Sequence, residues 1–205
     1  MFKINQSPVL TSNNYGINYF DIDESVVDIK TKVFDKYFIH NDKNITISQL
    51  LNIPKNNMGS LIDNQSKAQS NFNKELTINK SSPEPIILEF GVDTLVDNYI
   101  INVEEDVKVD IIIKYISKTK SYHNSNIVLN VKRYGQVNFN VLESVELSST
   151  ALLSIKTNIE DNGKVVANIF DFGCDNDAQN IVVDCLGYKS SIDINSVYFG
   201  SNHNR

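Results

Sequence analysis

The stretch Val107-Lys108-Val109-Asp110-Ile111 recurs in altered form as Val137-Asn138-Phe139-Asn140-Val141, Val165-Val166-Ala167-Asn168-Ile169 and Ile192-Asp193-Ile194-Asn195-Ser196-Val197. The first residues of these stretches lie 27 to 30 positions apart, a period typical of repeating supersecondary units. Alternation of apolar and polar residues within each stretch indicates a short β-strand.

A second set of strand-like stretches interleaves with the first. Its members are Ile127-Val128-Leu129-Asn130-Val131, Leu152-Leu153-Ser154-Ile155 and Ile181-Val182-Val183-Asp184-Cys185. Each repeat unit thus offers about two strands, too few to bury an apolar face alone, so neighbouring units must stack. The pattern predicts a mainly β protein with a coiled architecture.

Periodicity alone does not separate a β-helix from an antiparallel sandwich, because both use short strands with regular turns. Two features favour the β-helix: the period persists over four units, and asparagine recurs at strand positions. Asparagine is costly inside a sandwich but tolerable in a stacked coil. These asparagines are Asn130, Asn138, Asn140, Asn168 and Asn195.

Composition limits the classes of function. The 205-residue chain is long enough for one substantial core, and its formal net charge of −6 argues against sequence-independent nucleic-acid binding. It contains no apolar run of about 18 residues that would span a membrane, and residues 1–6 lack the apolar segment of a signal peptide. With two cysteines in all, the sequence predicts a cytoplasmic protein without a disulfide framework.

The first 82 residues do not show the regular strand pattern of the repeats. We expect an irregular or mixed N-terminal segment over 1–82 and a β-helix core over 83–205, separated by the break Ser82-Pro83-Glu84-Pro85. Local patterns predict loop around 11–16, extended pieces at 19–22 and 26–29, one helical turn at 48–53, and a loop or short helix at 56–73.

Several segments, in collinear order, resemble the SufB/SufD family, scaffold subunits of the Suf iron–sulfur cluster assembly machinery. They are Asp97-Asn98-Tyr99-Ile100-Ile101-Asn102-Val103-Glu104-Glu105-Asp106 continued to Tyr115, His123 to Val131, and Gly135-Gln136-Val137-Asn138-Phe139. Gln6-Ser7-Pro8-Val9-Leu10-Thr11 and Tyr15-Gly16-Ile17-Asn18 are similar to the opening of SufD-type members and favour SufD over SufB.

The resemblance implies a right-handed parallel β-helix. Family members are usually longer, so it also implies a core that is incomplete at its C-terminal end and a chain truncated at 200–205. The functional cysteine and histidine of the SufB–SufD interface and the helices that dock the SufC ATPase would lie in the missing part. No catalytic, cofactor-binding or metal-binding residue is carried over, and no cofactor is expected.

The cysteines and histidines of this chain do not form a recognisable site. Cys185 is in phase with Ile181 and Val183 and is predicted to be buried, whereas Cys174, which follows Gly173 in a turn, is predicted to be exposed. One thiol in a turn lacks the partners that an iron or cluster site needs. The histidines, His40, His123 and His203, show no metal-ligand spacing.

Acidic motifs in the chain are interpreted as turns. Asp171-Phe172-Gly173 imitates the magnesium motif of kinases, but the other kinase motifs are missing. Asp171, Asp175 and Asp177 cluster as they do in some polysaccharide-cleaving β-helices, yet a solvated acidic turn is the simpler reading. Glu104-Glu105-Asp106 is read as a plain turn.

The resemblance leads us to expect a non-catalytic, SufD-like scaffold that joins SufB-like and SufC-like proteins in a complete complex and binds neither nucleic acid nor membrane. Two alternatives remain: a β-helix enzyme acting on polysaccharides, and a self-associating solenoid module. A homodimer is expected in isolation, because the last strands would present an uncovered edge beside Ile194, Val197 and Phe199.

Overall fold

The structure, a computed structural model, describes residues 2–4 and 20–199. Its strands are β1 (Phe2–Ile4), β2 (Phe20–Ile22), β3 (Tyr37–His40), β4 (Ile45–Gln49), β5 (Phe72–Ile78), β6 (Ile86–Gly91), β7 (Thr94–Val103), β8 (Lys108–Ile116), β9 (Tyr122–Val131), β10 (Gln136–Ser144), β11 (Thr150–Ile159), β12 (Lys164–Asp171), β13 (Asn176–Cys185) and β14 (Ser191–Tyr198). Its helices are α1 (Glu24–Val27), α2 (Ser60–Ala68) and a 3-10 turn at Asp42–Asn44.

From β5 onwards, successive strands alternate between two six-stranded sheets. Sheet 1 has the order β14-β12-β10-β8-β6-β3, and sheet 2 has the order β13-β11-β9-β7-β5-β4. Pairing is parallel throughout, except that β3 and β4 pair antiparallel with β6 and β5 at the start of each sheet. The chain forms a β-solenoid of about five turns, which confirms the predicted coiled β architecture.

The register between turns stacks like residues above one another. Val137 pairs with Val109 on one side and with Val165 on the other, 28 residues away in each direction. Because strand side chains alternate in direction, this column and its neighbours through Phe139 and Val141 point into the space between the sheets, where they are buried. Each such side chain stabilises the fold by about 1.5–3 kcal/mol.

Asparagine columns run along the outer faces of both sheets. Asn158 Nδ2 donates to Asn130 Oδ1 at 2.7 Å, and Asn130 Nδ2 donates to Asn102 Oδ1 at 2.8 Å. On sheet 1, Asn195 donates in the same way to Asn168 at 3.0 Å. Each amide satisfies the next, so these half-exposed polar side chains are accommodated as the sequence pattern suggested.

One corner of each turn requires left-handed backbone. The φ angle is 61° at Asp106, 59° at Tyr134, 56° at Asn162 and 55° at Lys189. These corners are joined, because the amides of the first three donate to carbonyls of the following turn at 2.8–3.1 Å. Glu104-Glu105-Asp106 thus lies in a turn, as expected, but the turn also links neighbouring coils.

The N-terminal region departs from the local predictions at two places. Residues 26–29 were expected to be extended, but Asp23 caps α1 by accepting from the Ser25 amide at 2.9 Å. The helical turn expected at 48–53 is also wrong, because β4 extends to Gln49 and pairs with β5. Pairing along a sheet edge outweighs the weak local helix preference.

The other N-terminal predictions fare differently. The extended piece expected at 19–22 is confirmed over its described residues by β2 (Phe20–Ile22), and α2 falls inside the segment expected to be loop or short helix. Three strands of the sheets, β3 to β5, precede Ser82. Residues 5–19 and 200–205, which contain the loop expected around 11–16 and the SufD-like opening, lie outside the described residues.

Helix α2 covers part of the outer face of sheet 2. Ile62 and Met58 pack with Val96 and Leu152 of the sheet. Helix α2 is the longest helix of the described region, and none there is long and apolar enough to cross a membrane.

The tight packing between corners predicts a specific effect of a methyl group at Gly187. A Cβ there would lie 2.0 Å from the Asp161 nitrogen and 2.3 Å from the Glu160 carbonyl carbon, both backbone atoms. We expect Gly187→Ala to lower the free energy of unfolding in urea by about 1–3 kcal/mol, as overpacking does elsewhere. At Gly91 the nearest atom to a new Cβ is 3.7 Å away, so Gly91→Ala is the control, with a change within about 0.5 kcal/mol. Equal effects would contradict this packing.

Candidate functional site

A cluster of polar side chains interrupts the apolar core between the two sheets. Tyr115, Glu143 and Asp171 occupy equivalent positions in β8, β10 and β12 of sheet 1. Asp97 and His123 face them from β7 and β9 of sheet 2. All five are almost fully buried, so their charges must be compensated inside the protein.

His123 joins the two sheets through its imidazole ring. Nδ1 lies 2.5 Å from Glu143 Oε1, and Nε2 lies 3.1 Å from Asp97 Oδ1. Burial by itself lowers the pKa of His123, but attraction to Glu143 and hydrogen bonds to both carboxylates outweigh it and raise the pKa to about 9. At neutral pH the ring is therefore an imidazolium that donates from both nitrogens.

Hydroxyl groups satisfy the second oxygen of Asp97. Ser125 Oγ donates to Asp97 Oδ2 at 2.7 Å, and the Tyr115 hydroxyl donates to it at 3.1 Å. The Tyr115 hydroxyl also bonds that of Tyr99. Burial, followed by the charge of Asp97, raises the pKa of both tyrosines well above the usual range. Both phenols stay protonated and serve as donors.

A pair of carboxyl groups extends the cluster towards the last turn. Asp177 of β13 is hydrogen-bonded to Asp171, which Gln179 also contacts. Burial and the nearby charge of Asp171 raise the pKa of Asp177 to about 9, and burial and the charge of Glu143 raise that of Asp171. The pair therefore holds a proton at neutral pH, because two adjacent buried carboxylates repel each other.

The structure reverses both cysteine predictions. Cys174 is 1% exposed, since the turn after β12 folds its side chain inwards. Burial raises the pKa of its thiol, and the charge of Asp177 adds to the shift. Cys185 shares the register of the fully buried Ile159 but is exposed, because its strand, β13, pairs only with β11 in the described region. The sequence correctly placed Cys185 in phase with Ile181 and Val183, but it could not show that their strand lies at the edge of the described sheet.

The acidic turn is also less solvated than expected. Asp171 ends β12 as the sequence suggested, but its side chain is buried, and Asp177 is half-buried; Asp175 alone of the three is exposed.

The histidines do not come together. His40 is exposed on β3, His123 uses both ring nitrogens for carboxylates, and His203 lies outside the described residues. Within 2–4 and 20–199, no three His, Cys, Asp or Glu side chains are arranged to hold a metal ion.

Sequence reasoning missed the buried cluster, although a signal for it exists. Glu143 follows Val137, Phe139 and Val141 at the same inward phase, and Asp171 holds the equivalent position one repeat later. Two carboxylates at inward positions exactly one period apart would have indicated a buried polar column.

The last strands present a second surface of interest. In the described region β13 and β14 each pair on one side only. Apolar side chains beside them are 40–52% exposed, and the rings of Phe172 and Phe199 stack with their centroids 5.1 Å apart. The exposed apolar residues of this surface, here called the terminal edge, are Phe170, Phe172, Ile194, Val197, Tyr198 and Phe199. Exposed apolar groups beside unpaired backbone are typical of an interaction site.

The strands that carry the buried cluster and the terminal edge match a known protein family. Residues 88–205 match a family model described as "SUF system FeS cluster assembly, SufBD core domain". The match covers more than half of the chain, from within β6 to beyond β14. The chain belongs to the SufBD core family. Comparisons with curated proteins and with solved structures gave no match.

The match assigns the buried cluster and the terminal edge to the same family domain. Both lie inside the SufBD core segment, and the family description ties that segment to iron–sulfur cluster assembly. SufBD proteins generally act as non-catalytic scaffolds, and buried charges that are paired across two sheets are suited to fixing a shape.

The charge state of His123 can be tested by its effect on stability. Its pKa is higher in the folded protein than the unfolded value of about 6.5, so its stabilising effect is complete below pH 6.5 and is lost as pH rises through about 9. At pH 6 we expect His123→Ala to lower the free energy of unfolding in urea by about 3–5 kcal/mol, because Asp97 and Glu143 lose their counter-charge.

The difference from wild type should shrink above pH 9, where the native ring is neutral. His40→Ala, at an exposed position, is the control and should change stability by less than about 0.5 kcal/mol. An effect of His123→Ala that is constant from pH 6 to pH 9.5 would show that the ring is not protonated.

Proposed function

We propose that this protein is a non-catalytic, SufD-like scaffold of iron–sulfur cluster assembly that pairs with a SufB-like subunit and a SufC-like ATPase. The observation that carries the proposal is the SufBD core match over 88–205, which covers the solenoid from within β6 onwards, including its terminal edge. The contribution of the chain would be shape and interface. We place this activity in the cytoplasm, where two free thiols persist.

The backbone of β14 indicates how a partner would attach. The amide of Ser191 donates to the Gly163 carbonyl and that of Phe199 to the Asp171 carbonyl. Residues of a parallel strand turn alternately to the two neighbours, so Ile192, Ile194 and Ser196 direct their amides and carbonyls to the open side. A strand of a second solenoid can add there by backbone hydrogen bonding.

Side chains around this edge favour association. Val197 and Phe199 are 41% and 52% exposed, and Asp193 is the one charged residue on β14. Charges that commonly keep sheet edges apart are therefore sparse on this strand. In isolation a second copy of the chain would occupy the same edge, which gives the expected homodimer.

Self-association can be tested with a proline at an edge-facing position. We expect the wild-type chain to be a dimer by light scattering at about 100 μM, and Ser196→Pro to be a monomer because it removes an amide that faces the open side. Ser196→Ala keeps that amide and should remain dimeric. A wild-type monomer, or a Ser196→Pro dimer of equal affinity, would refute pairing through β14.

The scaffold role itself is tested by co-expression with cognate SufB-like and SufC-like proteins. We expect the tagged chain to retrieve the SufB-like subunit together with an ATPase that carries Walker motifs. Val197→Asp, on the terminal edge, should weaken retrieval about tenfold or more, which corresponds to about 1.4 kcal/mol. Val33→Asp is the matched control, since Val33 is 92% exposed and lies away from this edge.

Failure to retrieve either protein would contradict the scaffold role. Equal losses with both variants would place the contact elsewhere on the solenoid.

A further inference from the structure

The turn between β12 and β13 is held by two carboxyl groups. The Gly173 amide donates to Asp171 Oδ1 at 2.7 Å, and the next amide, that of Cys174, donates to the carboxyl of Asp177. Gly173 has a φ of 70°, which allows the two successive amides to face the pair. Between these bonds the Cys174 side chain is enclosed, at 1% exposure.

This carboxyl pair lies in crowded, incompletely satisfied surroundings. Glu143 is 1% exposed, and its Oε2 has no hydrogen-bond partner within the described residues; the same is true of Asp177 Oδ2. The titratable or polar groups beside the pair are Glu143 (β10), Gln179 (β13) and Tyr198 (β14, in register with Asp171), with exposed Asp175 in the turn itself. Beyond Glu143 lie His123 (β9), Asp97 (β7) and Tyr115 (β8), joined to one another by hydrogen bonds.

The charges of this group do not balance without an added proton. His123 supplies one positive charge, and both of its nitrogens are already engaged by Asp97 and Glu143. Asp171 and Asp177 would add two further negative charges to the same buried region. A buried like-charged pair is stable only when one member is protonated.

We propose that the Asp171–Asp177 pair is a proton-dependent latch: its shared proton keeps the 172–176 turn closed over Cys174, and opening of the turn releases the proton and exposes the thiol. This inference concerns access to one side chain, and it holds whether or not the chain acts as a SufD-like scaffold.

Thermodynamic linkage between proton binding and opening of the 172–176 turn determines how pH shifts the opening equilibrium. Asp177 binds its proton more tightly in the closed turn, where burial and Asp171 raise its pKa to about 9, than it would in an open, hydrated turn, where a pKa near 3.9 applies. The equilibrium between open and closed turns therefore shifts towards open as pH rises between these two values and levels off above about 9. Neutral pH lies within this window.

Opening the turn also breaks a small set of hydrogen bonds to neighbouring strands and turns. They run from the Phe172 amide to the Glu143 carbonyl at 3.1 Å, from the Asp175 amide to the Leu147 carbonyl at 2.7 Å, and from the Asn176 amide and side chain to Ser149 and Thr150 at 3.3 Å. Phe172 is 45% exposed, so little apolar surface would be lost from the core. Local openings of this kind lie well below global unfolding in free energy.

The experiment measures thiol modification in the full chain with Cys185→Ser, so that Cys174 is the one reactive thiol. Its rate with a disulfide reagent is divided, at each pH, by the rate of Cys185 in the Cys174→Ser chain, which removes the general pH dependence of thiol ionisation. We expect this ratio to be far below 1 at pH 6, to rise at least about tenfold by pH 8.5, and to level off above about pH 9.

Two substitutions test the assignment to the pair. Asp177→Asn removes the titrating group and the like-charge repulsion within the pair, so the rise of the ratio between pH 6 and pH 9 should become much smaller. Asp171→Asn leaves the pKa of Asp177 raised only by burial and the charge of Glu143, so it should shift the rise to lower pH, and it replaces Asp177→Asn if that variant does not fold. Asp175→Asn, in the same turn but exposed, is the control and should keep the full pH dependence.

Urea separates local from global opening. A local opening exposes little surface, so about 1 M urea should change the ratio less than twofold, whereas global unfolding would respond steeply. A ratio independent of pH in the Cys185→Ser chain, a rise of unchanged size and position in both Asp→Asn variants, or a steep urea response would each overturn the latch.

Discussion

The rest of the structure depends on in-register stacking of one turn on the next. A spacing of 28 residues places valine on valine in the core and asparagine on asparagine on the surface. A shift of one residue in the strand register would turn every inward side chain outward. The 28-residue period is therefore maintained where both sheets bury apolar residues. The same stacking aligns the left-handed corners and leaves the last described strands with one open side.

The buried charges are the main exception to this apolar design. Asp97, His123, Glu143 and Asp171 come from four strands in two sheets, and His123 connects the sheets. Breaking such a group leaves uncompensated charge in the core, so it favours one relative placement of the sheets. For a protein proposed to act through its shape, a fixed spacing between two sheets is a functional property. The acid pair at the end of the same column brings proton binding close to a buried thiol.

Sequence reasoning succeeded where the repeat period carries the information. It predicted the coiled β fold and the stacked asparagines, because both depend on order and spacing along the chain; the SufB/SufD resemblance came separately, from collinear segments such as 97–115. It failed at Cys174 and Cys185, whose exposure depends on the path of one turn and on the position of an edge strand. The charge cluster was missed because its members are distant in sequence and meet only when two sheets face each other.

The central proposal is that stacked turns form a solenoid whose last described strand, β14, is the binding surface. The most direct test is an experimental structure of the chain in complex with its cognate SufB-like subunit. The account predicts that a partner strand continues sheet 1 beyond β14, bonded to the open-side backbone of residues 192–196, with the His123 cluster unchanged. A partner seated on the face covered by α2, with β14 left unpaired, would contradict it.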